Sequence, residues 1–382
     1  MKRAMTVAIV ATVAGALLLA IGLLVDPKQA LFSYLAAWIF AASVCLGALL
    51  WVQIAHVVGA GWMVVLRRRA EDLLAALPVL AALFVPILLG VASLYPWARP
   101  EREWDERLRE AMVSKRGWLS APFFTARTFF YLGAWVLVAE LFRRYSRAQD
   151  GSPSVALVAK SRALAAGSLP LIALTLTFAS FDWLMSLDPT WSSTVFGIYL
   201  FAGGMAGAVG LLCFVAFGPF SSRVEGATRE HSHALGRLML TFVIFWAYIA
   251  FVQFLLVWIA DLPNEIGWIK LRTTGSWGAF AKMLVSIHFV LPFFLLLSRE
   301  LKRRPGALAW MGVWLLVAHF FDMQWMVLPS LHTEFHPHWL DVAAPTFIGG
   351  ASLLVVLVRS RREPEMPLHD PRLASGLEYE AS

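Results

Sequence analysis

The apolar residues of this chain fall into ten runs of about twenty, and that pattern limits the fold more than anything else in the sequence. About twenty residues at a rise of roughly 1.5 Å each cross the ~30 Å hydrocarbon layer of a bilayer. The runs are at about 5–25, 31–58, 72–95, 120–142, 163–187, 192–217, 238–260, 276–298, 307–328 and 339–358. Composition agrees: 59% of the 382 residues are hydrophobic and 15% charged, too little charge to cover a soluble domain. Membrane β-barrels show short alternating segments instead. The 17 Trp suit the membrane interfaces, where indole rings gather. The expected fold is therefore all-α and polytopic, with a transmembrane domain over 1–358. The first run resembles a signal peptide, but it is long for one and is followed by Asp26-Pro27-Lys28, so a retained helix is expected.

Lys and Arg orient the bundle. With the N-terminus inside, alternate segments hold 21 inner and nine outer cations, Arg223 and Arg362 being among the inner ones. Arg127 and Lys282 lie within spans. The bias places both termini in the cytoplasm of a multi-pass inner-membrane protein. The net charge of +7 is thus a topology signal rather than a nucleic-acid footprint. The two cysteines, Cys45 and Cys213, sit in separate apolar runs and no C-x-x-C occurs, which argues against iron–sulfur, c-type haem and structural zinc sites. The polar stretch 359–382 contains Pro364, Pro367 and Pro371 and is expected to be an extended cytoplasmic arm. The charged loop Glu101–Lys115 is expected to carry a short helix on the outer face.

Two span ends repeat. Phe181-Asp182 and Phe320-Phe321-Asp322 are each followed by six residues and then a Pro, Pro189 and Pro329. Arg127 and Lys282 lie about seven and six residues into the fourth and eighth spans. All four charges then lie at similar depth, the aspartates about 8–10 Å from the outer helix ends. This reads as two parallel four-helix units, 31–187 and 192–328, with the first and last spans peripheral. Ionisable groups at membrane depth cost about 2.5–3.5 kcal/mol or more on insertion scales and default to functional hypotheses. Asp182 is expected to face Arg127, and Asp322 to face Lys282, as structural ion pairs or as proton-carrying groups.

Other polar residues accompany these. His319 lies one turn from Asp322 on the same face, and His288 lies near mid-membrane in the eighth span. Gln53 and His56 share a face near the inner end of the second span, where an interhelical hydrogen bond competes with a role. Tyr248 and Gln253 read as packing or hydrogen-bonding residues between helices. His332, His336 and His338 cluster in the last outer loop, without a convincing metal-ligand pattern. No pair of histidines suggests b-type haem.

The stretches Phe32-Ser33-Tyr34-Leu35, Ser93-Leu94-Tyr95-Pro96-Trp97, Phe178-Ala179-Ser180-Phe181-Asp182-Trp183, Trp246-Ala247-Tyr248-Ile249-Ala250-Phe251 and His288-Phe289 with Pro292-Phe293-Phe294 resemble a known family. It is the ActF family, quinone-binding subunit 2 of alternative complex III, itself similar to polysulphide-reductase-type (NrfD-like) membrane subunits. The resemblance runs from about Phe32 to Gly350. It implies two four-helix bundles, no covalently bound cofactor in this subunit, and a place in a quinol:cytochrome c oxidoreductase using menaquinone or ubiquinone. It also implies partners: a homologous membrane subunit, an iron–sulfur subunit and c-type cytochromes. The expected role is quinone binding, a proton pathway, or both. A secondary transporter with two parallel repeats is the alternative.

Overall fold

A computed structural model describes residues 2–151, 154–219, 224, 226–361 and 363–380; Arg223 and Arg362, counted above, lie outside it. All secondary structure among the described residues is helical. Ten helices are long and apolar enough to span a membrane: α1 Lys2–Val25, α2 Pro27–Val58, α3 Val64–Leu89, α4 Ala121–Gly151, α5 Val155–Leu187, α6 Phe196–Phe217, α7 Arg229–Ala260, α8 Gly275–Leu297, α9 Pro305–Ser330 and α10 Leu340–Ser360. The chain is a multi-pass membrane protein by this measure. The loop before α4 carries the expected short helix, Glu106–Lys115, capped by the Asp105 side chain on the Leu108 N–H.

Small residues decide which helices meet. α6 lies at the centre, against α2 and α9. A Cβ on Gly47 of α2 would sit 2.4 Å from the Gly204 carbonyl oxygen, and one on Gly312 of α9 would sit 2.2 Å from that of Gly210. Both crossings are backbone on backbone, as membrane helices achieve where lipid offers no hydrophobic drive. α4 and α5 pack together, with α5 also on α2, while α7 and α8 pack on the other side of α6 and α9. α1 packs chiefly on α10, which in turn lies along α2.

α3 is broken. Pro78 and Pro86 lack an N–H, and the run passes through a 3-10 turn at Leu74–Ala76 and a break at Leu83–Phe84. Carbonyls left over must be satisfied inside the protein. α2 supplies the donors: Trp38 Nε1 reaches the Leu80 oxygen at 2.8 Å and Tyr34 OH the Leu83 oxygen at 2.7 Å.

α3 also starts earlier than the expected 72, at Val64, so that Arg67, Arg68 and Arg69 are helical rather than loop residues. Arg67 and Arg68 are buried because the polar tail covers them. This corrects the expectation of an extended arm. Arg67 binds Asp370 at 2.6 Å, Arg143 binds Glu363 at 3.0 Å, and Arg69 binds Glu365 at 3.0 Å. The His369 imidazole meets the Asp150 carbonyl at 2.9 Å. Tyr379 stacks on Trp62, and the Gly376 carbonyl meets His231 of α7 at 3.1 Å. The tail's acids are drawn to the arginines at the end of the bundle that carries the termini, and a short helix, Leu373–Leu377, completes the strap.

Candidate functional site

The two aspartates sit in different chemistry. Asp182 is fully buried near the end of α5 and accepts four hydrogen bonds. Arg127 Nε and Nη2 of α4 donate at 2.8 and 2.7 Å, Trp118 Nε1 at 2.8 Å and Tyr131 OH at 3.0 Å. The expected pair with Arg127 is present, in the forked geometry that suits a carboxylate. The guanidinium is itself sandwiched, its carbon 4.0 Å from the Trp118 ring and 4.2 Å from that of Phe123. Every lone pair direction of Asp182 is committed.

Asp322 of α9 is equally buried but does not pair with Lys282, which corrects the second expected pair. Lys282 is exposed. The buried stripe of α8 is Trp277, Phe280, Leu284 and His288, and Lys282 lies two residues, about 200°, from both Phe280 and Leu284. Its depth matches Asp322, but its direction does not. Asp322 instead accepts from Tyr199 OH of α6 through a short hydrogen bond and from Trp246 Nε1 of α7 at 3.0 Å. Among the described residues, the nearest group able to carry positive charge is His319, whose Nδ1 lies 3.8 Å from Oδ2, with His288 beyond it.

His319 is set by its other nitrogen. Nε2 lies 2.8 Å from Ser43 Oγ of α2. The Ser43 hydroxyl also lies 2.9 Å from the Phe40 carbonyl. His319 Nδ1 is buried, has no hydrogen-bond partner among the described residues and is turned toward Asp322, while the direction of the Nε2–Ser43 bond follows the ring's tautomer. The ring is admitted by Gly203 of α6, where a Cβ would stand 2.7 Å from Nδ1.

His288 completes the group. It is fully buried, stacked on Trp246 with centroids 3.9 Å apart, and 6.2 Å from the His319 ring. Neither of its nitrogens has a protein partner. It lies in a π-helical segment, Ser286–Val290, where Leu291 N–H reaches back to the Ser286 carbonyl. The cause is local: Pro292 has no N–H for the His288 carbonyl, and its ring would clash there, so the helix widens by one residue. Such bulges recur at functional sites.

The remaining sequence candidates lie elsewhere. Tyr248 is 60% exposed, because it stands two residues, about 200°, from the buried Trp246. Gln253 accepts from Ser193 and ties the α5–α6 loop to α7. Gln53 donates to Ser168 of α5 at 2.7 Å. His56 stacks on Phe142 and lines a water-sized cavity of about 10 Å³ under the tail, with Arg67, Glu71 and Asp370. His332 bonds Gln29 Oε1 at 2.6 Å, and among the described residues no His, Cys, Asp and Glu are grouped to hold a metal.

The structure adds residues that the sequence reading missed. Tyr131 lies four residues from Arg127, a spacing that could have been read as one face. Tyr199, Ser43 and Trp118 carried no such mark. Arg272 is another: it is 2% exposed in the helix Pro263–Thr273, stacked on Trp268 at 3.9 Å, and it donates to the Met326 carbonyl at 2.9 Å. Burial lowers its pKa, an effect that Asp188 partly offsets. Neither a scan against protein-family models nor a search of curated proteins finds a match for this chain.

Proposed function

We propose that this chain is a membrane subunit of a quinol-oxidising respiratory complex, and that its own work is to take up and pass on protons through Asp322, His319 and His288. The observation that carries this reading is the buried, unpartnered Nδ1 of His319 facing Asp322 at 3.8 Å. A carboxylate with two neutral donors and no fixed cation beside it is able to hold or release a proton. Protonation at Nδ1 would make an ion pair with Asp322, and the proton could then move along the group without a large change of structure. Asp182, locked by Arg127, has no such freedom and is assigned an anchoring role.

Oxidation of a quinol releases two protons with two electrons. With no redox centre expected in this chain, the electrons leave through iron–sulfur and c-type cytochrome partners beside a homologous membrane subunit. The resemblance to ActF-type subunits supports that setting. The cation bias supports an inner-membrane location with both termini in the cytoplasm.

Purification of the tagged chain from its native membrane tests this. Co-isolated haem- and cluster-bearing subunits with quinol:acceptor activity are expected. A chain that isolates alone and moves a solute in proteoliposomes would overturn it. That outcome belongs to the second reading, a secondary transporter, which the interruptions in α3 and α8 favour.

A further inference from the structure

At the end of α4 nearest the tail, a groove of about 460 Å³ runs along one face of the helix, lined by Leu137, Glu140, Leu141, Arg144 and Arg147. The order of these residues is informative. Leu137, 60% exposed, and Leu141 lie deeper in the membrane, and Arg144 and Arg147 follow one and two turns later. From Leu137 to Arg147 the groove spans about 15 Å at 1.5 Å per residue. That length fits the upper half of an acyl chain, a glycerol and a phosphate.

Its charges are unequally used. Glu140 is neutralised by a forked pair with Arg359 of α10, both bonds 2.6 Å. Arg147 shares Glu363 with Arg143 and stays 40% exposed. Arg144 is exposed and, among the described residues, forms no ion pair. The groove therefore carries an excess of positive charge where the apolar face of the helix ends.

We propose that this groove binds one anionic phospholipid, its acyl chain along Leu137 and Leu141 and its phosphate on Arg144 and Arg147. Basic pockets at the headgroup level of membrane proteins take such lipids, and arginine matches phosphate oxygens with paired donors. A zwitterionic headgroup presents an ammonium to the same arginines and is disfavoured. The site is independent of the proton-carrying group, which lies toward the other end of the bundle.

Native mass spectrometry of the purified full-length chain, or of its complex, tests this with phosphatidylglycerol and phosphatidylethanolamine of matched chains. Phosphatidylglycerol should be retained about 10-fold better, and Arg144→Gln should remove about that factor, as loss of one charge-assisted hydrogen bond implies. Arg144→Lys should keep most of the preference. Arg162→Gln, an exposed cation outside the groove, should leave it unchanged. Equal retention of the two lipids, or an Arg144→Gln variant that binds like the parent, would overturn the proposal. So would displacement of the lipid by inorganic phosphate, which would assign the site to a free anion.

Discussion

Asp182→Asn strands Arg127, for which Asp182 is the one ion-pair partner among the described residues. A buried charge deprived of its partner costs about 3–5 kcal/mol, so this variant should assemble poorly. Arg127→Gln with Asp182→Asn removes both charges and should recover much of the folded yield. Asp322→Asn strands no fixed cation. Its amide oxygen can still accept from Tyr199 or Trp246, so a loss of about 1 kcal/mol is expected. The Asp322→Asn complex should assemble with its partners and lose turnover or proton release. Folded yield by size exclusion, read beside activity, separates the two. Normal turnover in Asp322→Asn would end the claim that this carboxylate carries protons. The two positions look alike in sequence, each a Phe-Asp with Pro seven residues beyond. What distinguishes them is which neighbouring side chains turn inward, and that does not follow from depth.

Among the elements, α8 shows why depth was legible and direction was not. Cation bias and span length fix how far along a helix each residue lies. In a soluble helix the apolar stripe would also fix the buried face, but here lipid is as apolar as the core. Lys282, expected to face Asp322, and Tyr248, expected to pack between helices, both turn outward, while Arg127 and Asp182 pair as expected. The π segment tests how closely α8 is tied to function. Pro292→Ala restores a donor for the His288 carbonyl and should let the helix tighten. Stability is expected to hold within about 1 kcal/mol or to rise, while turnover falls as His288 turns away from Trp246. Unchanged turnover in a variant with regular α-helix there would cut the link between the bulge and activity. The α6–α9 crossing gives a sterner prediction. Gly210→Ala puts a methyl 2.8 Å from the Gly312 carbonyl oxygen, which cannot move alone, so folded protein should be scarce. Gly349→Ala, with nothing within 4 Å, should be tolerated.

For the whole molecule, the tail decides how well the ends of α3, α4 and α7 hold together. Its composition looked like that of a solvated arm, because Glu363, Glu365 and Asp370 read the same whether water or arginine surrounds them. Removing residues 363–382 should lower the melting temperature, since buried Arg143 loses Glu363 at 3.0 Å and keeps only the more distant Asp72 carboxylate at 4.0 Å. Acid should loosen the tail at a second contact, Arg67–Asp370. Burial alone would raise the pKa of Asp370, but Arg67, the Arg372 N–H and the charge of Arg372 outweigh it and hold it below the ordinary carboxylate value. A depressed carboxylate adds stability above its unfolded value, about 3.9, and loses it as pH falls through the folded one. A dye on Ser375→Cys, an exposed position, should therefore keep its anisotropy down to about pH 4 and lose it below. Loosening already near neutrality would show that Asp370 does not hold the tail.

The strap also bears on how the protein is made. Arg67 finds Asp370 only 303 positions later in the chain. During synthesis α3 enters the bilayer long before residues 363–380 are made, so its arginine triplet must meanwhile be satisfied by water and lipid phosphate. A product cut short after α10 would show bare arginines at the membrane surface, a difference that a membrane protease or an assembling partner could read.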